Sequence, residues 1–237
     1  MAGSRTAEVY EALKEELLNG DHAPGSKLAI EALALRFGVS PGAVRESLSR
    51  LTSDRLVEAL PQRGFLVAPI SQDDLTDLTE VRIDIETRCL RRSIERGTLE
   101  WEARLLSTWH QVSHVGDSPQ GRAHPDWPRL HAQLHDDLVA ACGSPWWLRL
   151  REVLYMQAER YRRLILPRAQ AARDINAEHR AIVERTLARD ADAAVAALAD
   201  HMQRTAQDLL EAGPRGFERR MPRGAAMGKG ITDGAKG

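Results

Sequence analysis

Two short helical segments separated by a tight turn constrain this chain more than any other feature. Apolar residues recur with helical spacing from Ile30 to Phe37, and Gly38 is typical of a residue that ends a helix. Ser40 is a favourable N-cap, and Pro41 stands at the first helical position, where a missing backbone N–H costs nothing. We therefore expect a second helix that runs from about Pro41 to Ser53.

The flanking segments extend this pair of helices into a recognisable motif. An amphipathic helix precedes them, with an apolar stripe that begins at Val9 and ends at Leu18, and the segment APGSKL then predicts a turn. After the second helix, LVEAL and FLVAP flank the letters PQRG, which predicts a β-hairpin with a four-residue connection. Helix, turn, helix and hairpin in this order predict a winged helix-turn-helix DNA-binding domain over residues 1–70.

Strand signals stop after Ser71, and the predicted fold class is mainly α. Helical patterns are expected over 71–96, 99–115, 127–142, 146–166, 173–188 and 191–212. Residues 71–212 are therefore predicted to form an all-α bundle. Residues 213–237 are rich in glycine and nearly free of large apolar side chains, so we expect a disordered tail.

Composition narrows the class of protein. The formal net charge is −1, so no overall positive field indicates nucleic acid. No segment reaches the ~18 uninterrupted apolar residues that a membrane span needs, and no apolar signal-peptide region follows the N-terminus. The two cysteines, Cys89 and Cys142, lie far apart and form no CxxC pair, which fits a reducing compartment. We expect a cytoplasmic, nucleoid-associated protein with no membrane partner.

The predicted DNA face lies on the second helix of the motif and on the wing. Between Arg36 and Arg63 there are five Lys/Arg against three Asp/Glu, so positive charge is local to this region. Arg45 is placed to donate two hydrogen bonds to guanine, and the other arginines suit phosphates. The alternatives are a winged helix used for protein contacts, or arginines on a solvated face. The candidate DNA-binding residues are Arg36, Ser40, Gly42, Arg45, Arg50, Arg63 and Gly64.

Histidines provide the main chemical signal in the helical region. His131 and His135 are four residues apart, so both imidazoles project from one face of a helix. His179 and His201 occupy helical positions further along the chain. Imidazole nitrogens are common ligands of divalent metals, and helices of one bundle can bring such ligands together. The alternative is four separate histidines that hydrogen-bond to backbone and water. The similarly spaced pair His110 and His114 lies off the apolar stripe of its helix, so we expect it to face solvent.

Several motifs resemble a known family of regulators. GDHAPGSKL, EALALRFGVS, AVRESLSRL and PQRGFLV closely resemble the GntR-type bacterial repressors. VRIDIE, LHDDLVAACGSPWW, EHRAIV and LARDADAAVAALADHM resemble the FCD ligand-binding domain of the FadR subfamily. The chain departs from the family at Pro41–Gly42–Ala43, where Arg-Thr-Pro is more usual, which implies a different contact to the operator there.

The resemblance implies a metal cofactor. Metal-binding members of the FCD domain use an acidic residue four positions before a histidine, that histidine, and two later histidines. His135, His179 and His201 match the three histidine positions, and His131 stands where the family has Asp. The expected cofactor is a divalent metal ion, either zinc, or nickel or manganese. His131, WEARLL and ERYRR are most similar to the branch of carbon-starvation regulators that repress glutarate and γ-aminobutyrate catabolism genes.

The resemblance also implies an effector and partners. A small carboxylate, for example a dicarboxylate such as glutarate, would bind beside the metal and contact arginines at its other end. The candidate effector-binding residues are Arg82, Tyr155, Arg160 and Arg163, although each arginine could instead lie on the surface. The protein is expected to pair as a homodimer on a palindromic, double-stranded operator and to leave it when the effector binds.

Two other interpretations stay open at this point. The first is a metal-dependent hydrolase, with Glu178, Asp136 or Asp137 as general base, although no HExxH motif occurs. The second is a regulator whose metal is purely structural and whose effector binds elsewhere.

Overall fold

The computed structural model describes residues 5–118, 121, 124–165 and 173–212, so the predicted tail of 213–237 lies outside the described residues. The chain divides into two compact units, and the division falls between Pro69 and Ile70. As the sequence predicts, the fold is mainly α, with a small sheet in the first unit.

The first unit is a winged helix-turn-helix. Its elements are α1 (Arg5–Asn19), β1 (Lys27–Leu28), α2 (Ile30–Phe37), α3 (Pro41–Ser53), β2 (Val57–Leu60) and β3 (Gly64–Val67). The Ser40 side chain accepts a hydrogen bond from the backbone N–H of Ala43, which confirms the predicted N-cap of α3. Leu13 and Leu48, from α1 and α3, are fully buried in the core of this unit.

The sheet differs from the prediction in two details. The segment predicted as a turn contains β1, which pairs antiparallel with β3 through Lys27 and Leu28. The wing connection has three residues rather than four, because Gly64 already pairs with Leu60. Gly64 has a φ of 97°, a backbone conformation that favours glycine. Both differences arise from pairing between distant strands, which local patterns do not report.

The second unit is a helical bundle in its described part. Its helices are α4 (Gln72–Arg96), α5 (Leu99–Gly116), α6 (Trp127–Val139), α7 (Pro145–Ile165), α8 (Ile175–Leu187) and α9 (Ala191–Glu211). Each lies within a few residues of a predicted helix, and α6 ends three residues early, ahead of a turn that contains Gly143 at a φ of 68°. Leu90, Leu134 and Leu198 belong to one buried core that joins α4, α6 and α9.

Among the residues that the structure describes, none of the helices combines the length and the apolar character required to cross a membrane.

Candidate functional site

Four histidines from three helices converge inside the second unit. His131 and His135 lie one turn apart on α6, His179 lies on α8 and His201 lies on α9. All four are buried, with exposed fractions of 0 to 8 %. One ring nitrogen of each histidine lies within 4.8 Å of the corresponding nitrogen of the others. The spacing that puts His131 and His135 on one face of α6 therefore aims both rings into the bundle.

The rings are packed closely enough to share a centre. The His179 ring centroid is 4.6 Å from that of His201 and 5.0 Å from that of His131. The centroids of His131 and His135 are 4.7 Å apart. The indole of Trp127 stacks on His131 at 5.7 Å between centroids and closes one side of this group. We call His131, His135, His179 and His201 the histidine cluster.

Five ring nitrogens of the cluster lack hydrogen-bond partners within the described protein. Both nitrogens of His135, both of His179 and Nδ1 of His131 are buried without a partner. Orphaned polar atoms in a protein core are costly and rare, so several at one point indicate that something else binds them. The backbone supplies no partner for these nitrogens, so the alternative of separate histidines bonded to backbone and water would need water at each of them. The donor set suits a divalent metal ion, since imidazole is a ligand for zinc, nickel and related ions.

The protonation state of the cluster also fits a metal ligand. Burial lowers the pKa of His131, His135 and His179 well below the ordinary value, and the neighbouring histidines lower it further. The imidazoles are therefore neutral near pH 7, and only the neutral ring has a lone pair for a metal.

A carboxylate outside the cluster orients one of its members. His201 Nδ1 lies 2.8 Å from Glu178 Oε2, and Arg173 Nε donates to the other carboxylate oxygen at 2.5 Å. Burial raises the pKa of Glu178, but the hydrogen bonds from Arg173 and His201 outweigh this effect and lower the pKa to about 2. The ionised carboxylate thus favours the proton of His201 on Nδ1 and leaves the lone pair of Nε2 available.

The sequence did not indicate that Glu178 and Arg173 hold His201 in place. Glu178 pairs with His201 of α9 rather than with its sequence neighbour His179. Arg173 also donates to Asp208, which fixes it between α8 and α9. A carboxylate beside a histidine of another helix leaves no signal in local spacing.

Tyr155 lies next to the cluster, between two arginines. Its ring centroid is 5.8 Å from that of His135, and its hydroxyl is buried without a partner among the described residues. The guanidinium carbons of Arg82 and Arg151 lie 5.1 and 4.5 Å from the centre of the Tyr155 ring. Arg82 Nε donates to the fully buried Glu86 at 2.5 Å, which orients the guanidinium of Arg82. A polar group without a partner therefore stands beside cations at one edge of the cluster.

The arginines of α7 lie in different surroundings. Arg163 donates to Glu159 at 2.8 Å, and Arg160 is buried at 2 % exposure. Arg162, which was not among the predicted residues, is the cation of this segment whose charge lowers the pKa of His131 and His179. Arg162 follows Tyr155 by seven residues, so both lie on one face of α7. Helix phase, applied to Tyr155, could have identified Arg162 from the sequence.

The predicted DNA-binding residues of the first unit fall into two groups. Gly42, Arg45 and Arg63 are exposed. Arg36 is also exposed but forms an ion pair with Glu16 at 2.6 Å, and the Arg50 guanidinium lies 4.0 Å from the centre of the Tyr10 ring. Arg45 therefore has no hydrogen-bond or ion-pair partner among the described residues, whereas Arg36 and Arg50 already have partners.

Comparison with protein families now identifies the chain. The family model for bacterial regulatory proteins of the gntR family matches residues 5–67, and the FCD domain model matches residues 77–204. This chain is a GntR-family transcriptional regulator with an FCD domain. Members of the GntR family bind operator DNA, and FCD domains bind small-molecule effectors. These families and the relatives below are transcriptional regulators, so the chain is not an enzyme and the hydrolase interpretation falls.

Individual relatives agree with the family. The HTH-type transcriptional regulator BphR of Paraburkholderia xenovorans is 40% identical over 197 residues, which cover 82% of this chain and 80% of BphR. The HTH-type transcriptional repressor GlaR of Escherichia coli is 32% identical over 198 residues, covering 81% and 90% of the two chains. The likeness to the repressor GlaR supports the predicted placement of this chain in the GlaR-like branch of the GntR regulators. The structure of E. coli McbR/YncC, with a TM-score of 0.72 at 20% identity, covers 89% of this chain and 99% of its own and shows the same fold.

Proposed function

We propose that this GntR regulator is a metal-binding repressor that pairs on a palindromic operator and leaves it when a small carboxylate binds beside the histidine cluster. The observation that carries the proposal is the convergence of four buried imidazoles with orphaned nitrogens, next to the unpartnered hydroxyl of Tyr155.

The histidine cluster would hold a divalent metal ion. Zinc is the first candidate, with nickel and manganese as alternatives, because imidazole serves all three and a neutral cluster sets no strong preference. Histidine in place of the family's aspartate at position 131 adds no negative charge, so a bound dication would keep its full positive charge. When bound, the ion supplies that positive charge at the bottom of the site, where a carboxylate oxygen can meet it.

Residues of α4 and α7 would bind the rest of the effector. Glu86 accepts a hydrogen bond from Nε of Arg82. Within the described structure, the two terminal nitrogens of Arg82 make no hydrogen bond. These nitrogens and the Tyr155 hydroxyl can donate to one carboxylate, because an arginine fork matches two oxygens. Arg162 offers a second cation on the same face of α7, although Glu159 holds two of its nitrogens at 2.7 Å. This arrangement favours a dicarboxylate, of which glutarate is one example.

The junction between α4 and α7 offers a route from effector to DNA. The Tyr161 hydroxyl on α7 donates to Asp74 at 2.6 Å and accepts from the backbone N–H of Ser71 at 3.1 Å. Ser71 is the N-cap of α4, and the first unit ends two residues before it. An effector that contacts both Arg82 on α4 and Tyr155 on α7 would shift these helices, and Tyr161 would carry the shift to Ser71. The effector changes operator binding only as far as it favours one arrangement over the other.

The decisive experiment combines effector binding with operator release. Metal-loaded protein is titrated with short mono- and dicarboxylates, and melting temperature and operator gel shift are followed together. We expect a dicarboxylate to raise the melting temperature and to release the operator. Metal binding with no response to any small acid would favour the second interpretation, a structural metal with another effector.

A matched pair of variants tests which arginine of α7 binds the effector. Arg162→Gln should weaken effector binding about tenfold or more, as expected when a charge-assisted hydrogen bond is lost. Arg163→Gln removes the same charge one residue away and from the same carboxylate, Glu159, so it serves as the control. A larger effect at Arg163, or at Arg160, would favour those two predicted residues over Arg162. The Tyr155→Phe variant should lower the affinity for the effector and leave the affinity for the metal unchanged.

A further inference from the structure

The exposed face of α3 carries an anion as well as a cation. Val44, Leu48 and Leu51 are buried in the first unit, so the opposite side of α3 faces solvent. The exposed positions on that side are Gly42, Arg45, Glu46, Ser49, Arg50 and Ser53. In a winged helix-turn-helix this is the face that enters the major groove.

The arrangement of these positions around the helix is specific. At about 100° per residue, Gly42, Ser49 and Ser53 fall along the middle of the exposed face. Arg45 and Glu46 fall on either side of that middle line, about 100° apart. Small side chains in the middle allow the helix to approach the base edges closely. Arg45 and Glu46 can then reach different base pairs.

Glu46 has no cation to neutralise it in the described structure. An arginine four residues after a glutamate is the usual partner on a helix, and Arg50 holds that position. Arg50 instead lies on the Tyr10 ring, whose hydroxyl donates to Asp54 at 2.5 Å. No hydrogen bond or ion pair of the described residues involves the carboxylate of Glu46 or the guanidinium of Arg45.

An unpaired carboxylate on a DNA-facing surface needs a compensating donor. Phosphates repel it, which weakens binding to every sequence alike. In the major groove, the donor that pairs with a carboxylate is the N4 amino group of cytosine, whereas guanine O6 and N7 accept from arginine. We infer that Glu46 reads a cytosine in each operator half-site, beside a guanine read by Arg45. This inference rests on the proposed function as an operator-binding regulator.

The test is selection of binding sites from random duplex DNA by the full-length protein. Wild-type protein should enrich a site with a cytosine and a guanine at fixed positions in each half. Glu46→Gln should lower the preference for that cytosine by about 5- to 100-fold and accept adenine there, because glutamine pairs with adenine N6 and N7. Preference at the guanine should persist in Glu46→Gln and fall in Arg45→Ala.

Glu8→Gln is the control for charge. Glu8 is exposed on α1, so this variant removes one negative charge from the same unit without touching the α3 face. Glu46 is exposed and should not affect folding, which thermal melts of both variants check. The inference is overturned if Glu46→Gln raises affinity for all sequences by one factor and leaves every base preference unchanged. If wild-type protein enriches no site at all, the operator-binding proposal fails together with this inference.

Discussion

Replacing Glu178 by glutamine should weaken metal binding without removing a ligand. The Glu178 carboxylate accepts a hydrogen bond from His201 Nδ1 at 2.8 Å, which holds the ring in one orientation and one tautomer. Glutamine keeps the size of the side chain but loses the charge that stabilises this bond. Arg173 stays paired with Asp208 at 2.8 Å, so the variant does not leave the Arg173 guanidinium without an anionic partner.

The expected magnitude follows from this one contact. Loss of a partner that orients a ligating histidine weakens metal affinity about 10- to 100-fold, or about 1.4 to 2.7 kcal/mol. At a free metal concentration about 100 times the wild-type Kd, bound metal raises the free energy of unfolding of wild type by about 2.7 kcal/mol. The same concentration should stabilise Glu178→Gln by only about 0.4 to 1.4 kcal/mol.

Competition with a chromophoric chelator measures the affinity, and denaturant unfolding with and without metal measures the stabilisation. Glu184→Gln is the control, because Glu184 is an exposed carboxylate on the same helix. Equal affinities for wild type, Glu178→Gln and Glu184→Gln would refute the reasoning that Glu178 orients His201 for a metal. If Glu178→Gln lowers the free energy of unfolding by the same amount with and without metal, Glu178 acts in folding alone.

Three further predictions concern stability and coupling. In the presence of chelator, the free energy of unfolding should fall as pH drops below about 6.5, by up to about 1.4 kcal/mol per pH unit for each buried histidine of α6 and α8. The pKa of these histidines is lowered in the folded state, so below that pH the unfolded chain binds more protons than the folded chain. A free energy of unfolding, measured by urea denaturation, that does not change with pH would contradict this. Leu134→Ala should cost about 2 to 5 kcal/mol in the same assay, since Leu134 is fully buried, whereas Leu106→Ala, at a half-exposed position of α5, should cost no more than about 0.5 kcal/mol. Tyr161→Phe should cost about 1 kcal/mol and reduce the effect of the effector on operator gel shifts, and an unchanged effector response would remove Tyr161 from the coupling route.

The elements of the fold could be predicted because their signals are local. Ser40 and Pro41 start α3, and Ser71 starts α4, because a cap acts on backbone groups within three residues. Apolar spacing identified the helices of the bundle for the same reason. Strand β1 escaped prediction because its two residues gain their partners from β3, nearly forty residues later.

The sequence by itself determined which helix faces carry chemistry, since periodicity places His131 beside His135 on α6 and Arg162 in phase with Tyr155 on α7. Tertiary structure alone decided which of those faces meet. His110 and His114, which have the same four-residue spacing as the α6 pair, are exposed on α5, as their place off the apolar stripe predicted. By contrast, only packing brought Glu178 to His201. The physical reason is that spacing along a helix fixes a direction relative to its own axis, whereas a site needs the relative positions of several axes, and these depend on how the whole core packs.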